Sequence, residues 1–519
     1  MSAGQALSEN TEQKRNYVLR ILEHLGADPA RTVVHSWNGD LTAAEFRRCV
    51  ADAAARLTRA GAGPADTVAV LTEPNSPAML AARYAAHLLG AAVVHIRSMN
   101  ARSDEDELPA AEQARLLDAT GARVVLADEP NSPRGQELCD GRPGTVLLAL
   151  SRAAATSGRD PLPAAAPFVA ENPAVIDLTS GTTGSPKLVR RSFGVRGQLV
   201  DLSFGTRPPE HRPTLLSVTP ISHATATMVD AALAAGGSVV LHNGFDVDDV
   251  LRALAERQVT DVYLAVPHLY RLIDQPGLDR AAFPFLRQVL YSGTAAAPVR
   301  TAEAARIFGE TLVQLYGSTE AGGMCTLTPL DHCEPELLPS VGRPFPWVEM
   351  EIRHPGSGKP VERGATGEIC VRSPTLMDGY LGETDRGCLT KEGDLLRTGD
   401  LGHWDKYGYL HLVGRIGSVV KVNGIKVHPT TVQDVLLNHP AVRNAVVYGT
   451  RGEEFIERLE AAVQLRPGAR CTGDELRSHI AVELSAAHVP DAFDWWEEIP
   501  LNPSGKPDYA RLRGQKEVQ

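Results

Sequence analysis

Thr179-Ser180-Gly181-Thr182-Thr183-Gly184-Ser185-Pro186-Lys187 is the stretch on which the reading of this 519-residue chain turns. Residues this small cannot pack a core, and they do not sustain a regular helix or strand. They can present backbone N–H groups and hydroxyls on a tight loop. Gly181 and Gly184 permit positive φ and close approach to a ligand. Successive N–H groups in such turns form anion-binding concavities, and Lys187 adds a full positive charge. The apolar run 174–178 reads as a strand, so the loop leaves a strand's carboxyl end, where open α/β sheets hold ligands. A polyphosphate suits it. The P-loop is excluded, because it runs Gly-Lys-Ser/Thr into a helix. Here Pro186 disfavours helix at Ser185, and Leu188-Val189 offer no hydroxyl to a magnesium ion. A mobile Ser/Thr/Gly linker is the bland alternative, to be weighed against what surrounds it.

Outward from the loop, strand and helix patterns alternate. Residues 66–71, 77–89 and 91–96 form one βαβ unit, and 108–120 with 123–127 continue it. Downstream, strands are predicted at 214–218, 238–241, 261–266, 287–291 and 311–316, with helices at 247–257, 267–273 and 299–308. Such alternation implies layered, mostly parallel sheets flanked by helices. From 342 to about 413 short alternating runs and turns replace the helices, indicating an antiparallel β-rich subdomain. A hairpin about Asn423-Gly424 then opens a small α+β unit. The expected organisation is an N-terminal core over 1–415 and a mobile C-terminal lid over 416–519.

Composition fits a globular α/β chain, with 43% hydrophobic and 22% charged residues. A formal net charge of −11 argues against a general nucleic-acid surface. Seven scattered cysteines without a C-x-x-C pair indicate neither a disulfide framework nor a zinc site, and Cys325, His332 and Cys333 are read as incidental neighbours. The N-terminus lacks the apolar stretch of a signal peptide. The most apolar region, 78–96, carries Arg83, His87 and Gly90 and fails as a membrane span. The expected location is the cytoplasm, without a membrane partner.

Further motifs carry chemistry. Tyr316-Gly317-Ser318-Thr319-Glu320 closes a strand and sets a carboxylate beside two hydroxyls, a fit for hydrated Mg²⁺ between phosphates. Arg397-Thr398-Gly399-Asp400 offers a carboxylate for ribose hydroxyls. Gly414-Arg415 follows with a planar fork for ribose or phosphate oxygens. Asn502-Pro503-Ser504-Gly505-Lys506 carries a lysine on a glycine-bearing loop near the C-terminus.

In that order, over residues 40 to 510, these motifs resemble the adenylate-forming superfamily of acyl- and aryl-CoA ligases, luciferases and peptide-synthetase adenylation domains. The resemblance implies ATP, Mg²⁺ and, as co-substrate, CoA. It implies Tyr316 against adenine, Thr319 on the α-phosphate, Glu320 on magnesium, Asp400 on ribose and Lys506 as the catalytic cation of the lid. It assigns His223 and Tyr291-Ser292-Gly293-Thr294 to the acid pocket, and Lys421 and Gly424 to the acceptor tunnel. The implied reaction joins a small aryl or short acyl carboxylic acid to AMP, releases pyrophosphate and transfers the acyl group to CoA.

The sequence also departs from the family pattern. Gly417 and Ser418 stand where a hinge Asp or Lys and an acidic residue are usual, and residues 429–433 lack the usual glutamates. The segment His223-Ala224-Thr225-Ala226-Thr227 is small and polar. These keep a second reading open, in which the acceptor is a carrier protein in trans or an amine, or in which nitrite replaces the acid to diazotise an aryl amine. A third, of another class, is an inactive nucleotide-binding regulator.

Overall fold

The computed structural model describes residues 16–97, 107–151, 154–157, 161–179, 187–203, 211–382, 395–422, 425–451, 457–502 and 504–514. Two large sheets dominate. The first has nine strands, and its central six run parallel in the order Leu312–Ser318, Gln288–Ser292, Asp261–Ala265, Thr214–Ser217, Ser238–Leu241 and Thr32–Ser36. Antiparallel strands close both edges. The second has seven strands. Pro173–Thr179, Ala92–His95, Thr67–Leu71, Val124–Ala127 and Val146–Ala149 run parallel, and Lys187–Ser192 turns back antiparallel on Pro173–Thr179.

The largest apolar core lies between these sheets. Helices Tyr17–Ala27, Ala43–Arg59, Pro77–Leu88 and Ala224–Ala234 fill it, and strands of both sheets contribute Val33, Leu215, Val68 and Val175. The helices start where capping chemistry puts them. Thr42 and Glu45 form a reciprocal capping box, and Ser76 caps a helix whose first residue is Pro77.

One buried polar knot pins these helices. Asp230 is fully buried and accepts from Arg83 at 2.6 Å, from Tyr84 at 2.8 Å and from Arg196. Burial pushes its carboxyl up, but Arg83 and Arg196 outweigh that and hold it down at about 2. The second nitrogens of those arginines donate to Ile221 O at 2.8 Å and to Thr227 Oγ1 at 2.7 Å, so the knot also fixes the segment after strand Thr214–Ser217.

The antiparallel region is a four-stranded sheet, Glu349–Arg353, Gly367–Arg372, Leu396–Trp404 and Leu410–Arg415. Two short strands from the same span of sequence belong to the large sheets. Arg343–Pro344 extends the nine-stranded sheet, and Gly379–Tyr380 pairs with Lys187–Ser192 on the seven-stranded one. The small C-terminal domain has the hairpin Val420–Val422/Ile425–Val427, a three-stranded sheet and helices Pro429–Asn438 and Gly473–Glu483 around its own core. Among the described residues no helix is long and apolar enough to cross a membrane.

Candidate active site

The seven residues 180–186, which include Ser180, Gly181, Thr182, Thr183 and Gly184, lie outside the described residues, as does Gly424. Both ends of the phosphate-loop segment are described. Thr179 and Lys187 are opposite each other in the ladder, and Thr179 Oγ1 donates to Lys187 O at 3.4 Å. The strand carrying Thr179 and the strand carrying Tyr316 belong to different sheets. Their carboxyl ends converge because Arg191 bridges them, donating to Asp177 with one nitrogen and to the carbonyl of Thr319 with the other.

A second bridge is Tyr380. Its ring lies 4.3 Å from Lys187 Nζ, a cation–π contact, and its hydroxyl donates to Glu320 Oε1 at 3.2 Å. Lysine, tyrosine and glutamate therefore form one line from the phosphate segment to the carboxylate.

On the far side Asp400 and Arg415 are direct cross-strand partners. Asp400 accepts from Arg415 Nε at 2.8 Å and from the hydroxyl of buried Tyr316 at 2.7 Å. Burial, reinforced by the Asp400 charge, raises the Tyr316 phenol well above its ordinary value, so it stays a donor. Gly317 and Ser318 continue that strand towards the cavity, and the hydroxyl of Ser318 accepts from Ala321 N at 3.1 Å.

Lys506 enters from the C-terminal domain. Its Cε is 3.6 Å from where a Cβ on Gly293 would sit. It lines the same cavity as His223, Ser292, Gly293, Tyr316, Gly317, Ser318 and Thr319. Burial lowers its pKa and Arg415 lowers it further, while Glu320 opposes. The loop is held at its base, where Asn502 Oδ1 accepts from Ser504 N at 3.0 Å and Lys506 N at 3.1 Å. Gly505, at φ +75°, lies so close to the core that a Cβ there would be 2.6 Å from Ala265 Cβ and 2.5 Å from His268 Cε1.

The cavity holds about 420 Å³. Three adjacent parallel strands form one wall, each exposing alternate residues: Gln288, Leu290 and Ser292; Tyr263 and Ala265; Val313, Leu315 and Gly317. From Ser292 to Gln288 is four residues, a depth of about 13 Å at the rise of a parallel strand. Leu199, Leu202 and Met228 face that wall, and Phe345 and Trp347, stacked with centroids 4.8 Å apart, line another side. His223 lines the same cavity. Burial lowers its imidazole, Asp177 opposes, and Lys506 and Arg191 bring it down to about 4, so it is neutral near pH 7. Its buried Nε2 has no hydrogen-bond partner among the described residues.

Not every sequence-based site residue gathers here. Thr294 lines a different cavity, of about 910 Å³, between the two domains together with Arg415, Gly417, Glu457 and Glu460. Lys421 is exposed on its hairpin, its backbone N–H donating to Glu457 at 2.7 Å. Tyr291 points away into the core, bonded to Gln314 and His332. Conversely Asp177, Arg191, Tyr380 and the Ala265/His268 ledge belong to the site and were not read from the sequence. Asp177 had one signal, a lone carboxylate inside an apolar strand. Tyr380 had none, since its partners lie 193 and 60 positions away.

Residues 22–381 match the AMP-binding enzyme family, and residues 431–506 match the AMP-binding enzyme C-terminal domain. A feruloyl-CoA synthase from an Amycolatopsis species is 31% identical over 484 residues, 92% of this chain and 94% of its own length. A medium/long-chain-fatty-acid–CoA ligase of Mycobacterium tuberculosis is 33% identical over 350 residues, 66% of this chain and 61% of that relative. Among solved structures, the amide bond synthetase of Marinactinospora thermotolerans superposes with a TM-score of 0.82 at 34% identity, covering 96% of this chain and 99% of that one.

Proposed function

The chain belongs to the AMP-binding enzyme family and is an ATP-dependent adenylate-forming ligase, and from that premise we propose that it activates a flat aryl carboxylic acid as its acyl-adenylate and passes the acyl group to CoA. The observation that carries this reading is the lid lysine, Lys506, inside the cavity that also holds His223 and Thr319. When a carboxylate attacks the α-phosphate, two anions meet and charge builds on the pyrophosphate. A cation fixed at that point is worth several kcal/mol of barrier.

The other roles follow from position. Lys187 and the residues from Thr179 onward receive the β- and γ-phosphates. Thr319 meets the α-phosphate, with its backbone held by Arg191. Asp400, steadied by Tyr316 and Arg415, takes the ribose hydroxyls. Glu320 would hold Mg²⁺. When bound, that ion neutralises phosphate charge. Neutral His223 lines the approach to the reacting carboxylate without adding a competing charge.

The slot supports the choice of acid. Its depth of about 13 Å, its apolar strand face and the Phe345/Trp347 pair suit a flat ring acid, and Gln288 sets an amide at the far end for a distal polar substituent. A long saturated chain would outrun it.

A second reading keeps the first step and gives the acyl group to an amine. Glu457 and Glu460 line the cavity between the domains beside Arg415, Arg458 and Arg513, a mixed lining that admits an amine as well as a CoA phosphate. Gly417 replaces the usual hinge residue, and the 34%-identical structural relative is an amide bond synthetase. ATP–pyrophosphate exchange across a panel of acids tests the first step. Mass spectrometry of the best acid incubated with CoA, amines or an acyl-carrier protein, beside nitrite with an aryl amine, separates the acceptors. Exchange with no acid refutes the reading.

A further inference from the structure

The C-terminal domain touches the core on a second front, beside the packing of Gly505 on Ala265 and His268. Helices Val266–Ile273 and Pro298–Phe308 form a ledge there. Behind it lies Arg300, whose side chain is 1% exposed. It donates to Asp274 Oδ1 at 2.7 Å, to Tyr270 O at 3.2 Å and to Glu303 Oε2. Each carboxylate thereby keeps one oxygen facing outward, and a lid arginine takes each. Arg443 Nε donates to Asp274 Oδ2 at 2.6 Å, and Arg466 donates to Glu303 Oε1 at 3.2 Å. A third pair of opposite direction, Arg271 with Glu498, flanks them. Ala297, at the start of the ledge, packs into the lid's own apolar core.

We propose that Asp274 and Glu303, held from behind by Arg300, form with Arg443 and Arg466 a charge latch that holds the lid in the adenylate-forming pose and so positions Lys506.

Three features make this a latch. The carboxylates are preorganised by a buried cation, so closing the lid spends little on ordering them. The pairs are half-buried rather than sealed: Asp274 is 13% exposed, Arg443 26%, Glu303 22% and Arg466 36%. A cavity of about 350 Å³ borders Arg271, Asp274, Arg443 and Glu498, so water can replace the partners of the Asp274–Arg443 pair as the lid departs, which a dry pair would resist. Finally, Asp274 separates like charges. Without its carboxylate Arg443 would meet Arg271 and Arg300 with only Glu498 and Glu303 left to offset the three positive charges, and the lid would be held less tightly.

The inference rests on the adenylating reading above, and two partial reactions test it. One is ATP–pyrophosphate exchange with the best acid of the panel. The other is consumption of that acid's synthetic adenylate with its acceptor. The double variant R443Q/R466Q changes the lid surface and leaves the core's buried arginine untouched. It is expected to lower exchange about tenfold or more while adenylate consumption holds or rises. Exchange by the wild type should weaken between 50 and 500 mM NaCl more than exchange by the variant, and R443K/R466K should restore most of the rate. D274N, which keeps the shape and removes the charge, should act in the same direction. Both rates unchanged, or both reduced in step, would overturn the latch. A wild type that exchanges with no acid would instead sink the adenylating reading.

Discussion

Replacing Gly505 by alanine perturbs the lid loop without touching a charged group. At φ +75° the alanine backbone costs about 1–2 kcal/mol by itself. Its Cβ would stand 2.6 Å from Ala265 Cβ and 2.5 Å from His268 Cε1, where carbon contacts settle at about 3.5 Å or more. Neither neighbour can yield. Ala265 ends a buried strand, and His268 is stacked on Phe245 at 4.3 Å. The loop itself must therefore retreat by about 1 Å, and Lys506 is the next residue. A misplacement of that size costs on the order of 100-fold in rate. The expected result is a loss of about two decades in ATP–pyrophosphate exchange, with consumption of supplied adenylate retained and the melting temperature of the core within a few degrees. Exchange within twofold of wild type would show that docking on this ledge does not set the position of Lys506.

Two further substitutions test the packing. D230N leaves Arg83 and Arg196 buried without their counter-charge and should destabilise the chain by about 3–5 kcal/mol; a denaturation midpoint unchanged from wild type would contradict the role given to this knot. Asp434 is the opposite case, since burial raises its carboxyl from 3.8 to about 7. The folded chain holds that proton to higher pH than the unfolded one, so stability falls as pH rises from about 4 to 7 and the whole cost, on the order of 4 kcal/mol, persists above. D434N removes the ionisation, and its melting temperature should exceed that of wild type clearly at pH 8 and hardly at pH 4; equal differences at both would rule out this source.

The sequence disclosed most where one residue type admits one physical use. Small residues around Lys187, hydroxyls beside Glu320 and the glycine before Lys506 each announced a ligand. Strands 66–71, 261–266 and 311–316 were legible because each is a short apolar run bounded by turns. Helix Ala224–Ala234 was not, because its Ala and Thr residues are nearly all buried and leave no polar stripe to set a period. Strand Thr32–Ser36 was missed because it holds only two buried residues and a histidine. The bridges of the site were hidden for a different reason. Arg191 to Thr319 and Tyr380 to Glu320 join residues 60 or more positions apart, and no local pattern encodes a contact made by the meeting of two sheets. The offset of Thr294 into the other cavity has the same origin: a strand end exposes successive residues to different sides, and the wall each meets depends on where the lid docks.

The most direct measurement is ATP–pyrophosphate exchange by Lys506→Ala with the acid that wild type uses best, beside the rate at which the variant consumes the matching synthetic adenylate. Loss of a cation at the meeting point of two anions should cut exchange by about 100-fold or more and leave adenylate consumption within a few-fold. An undiminished exchange rate would contradict the delivery of the reacting cation by the C-terminal domain.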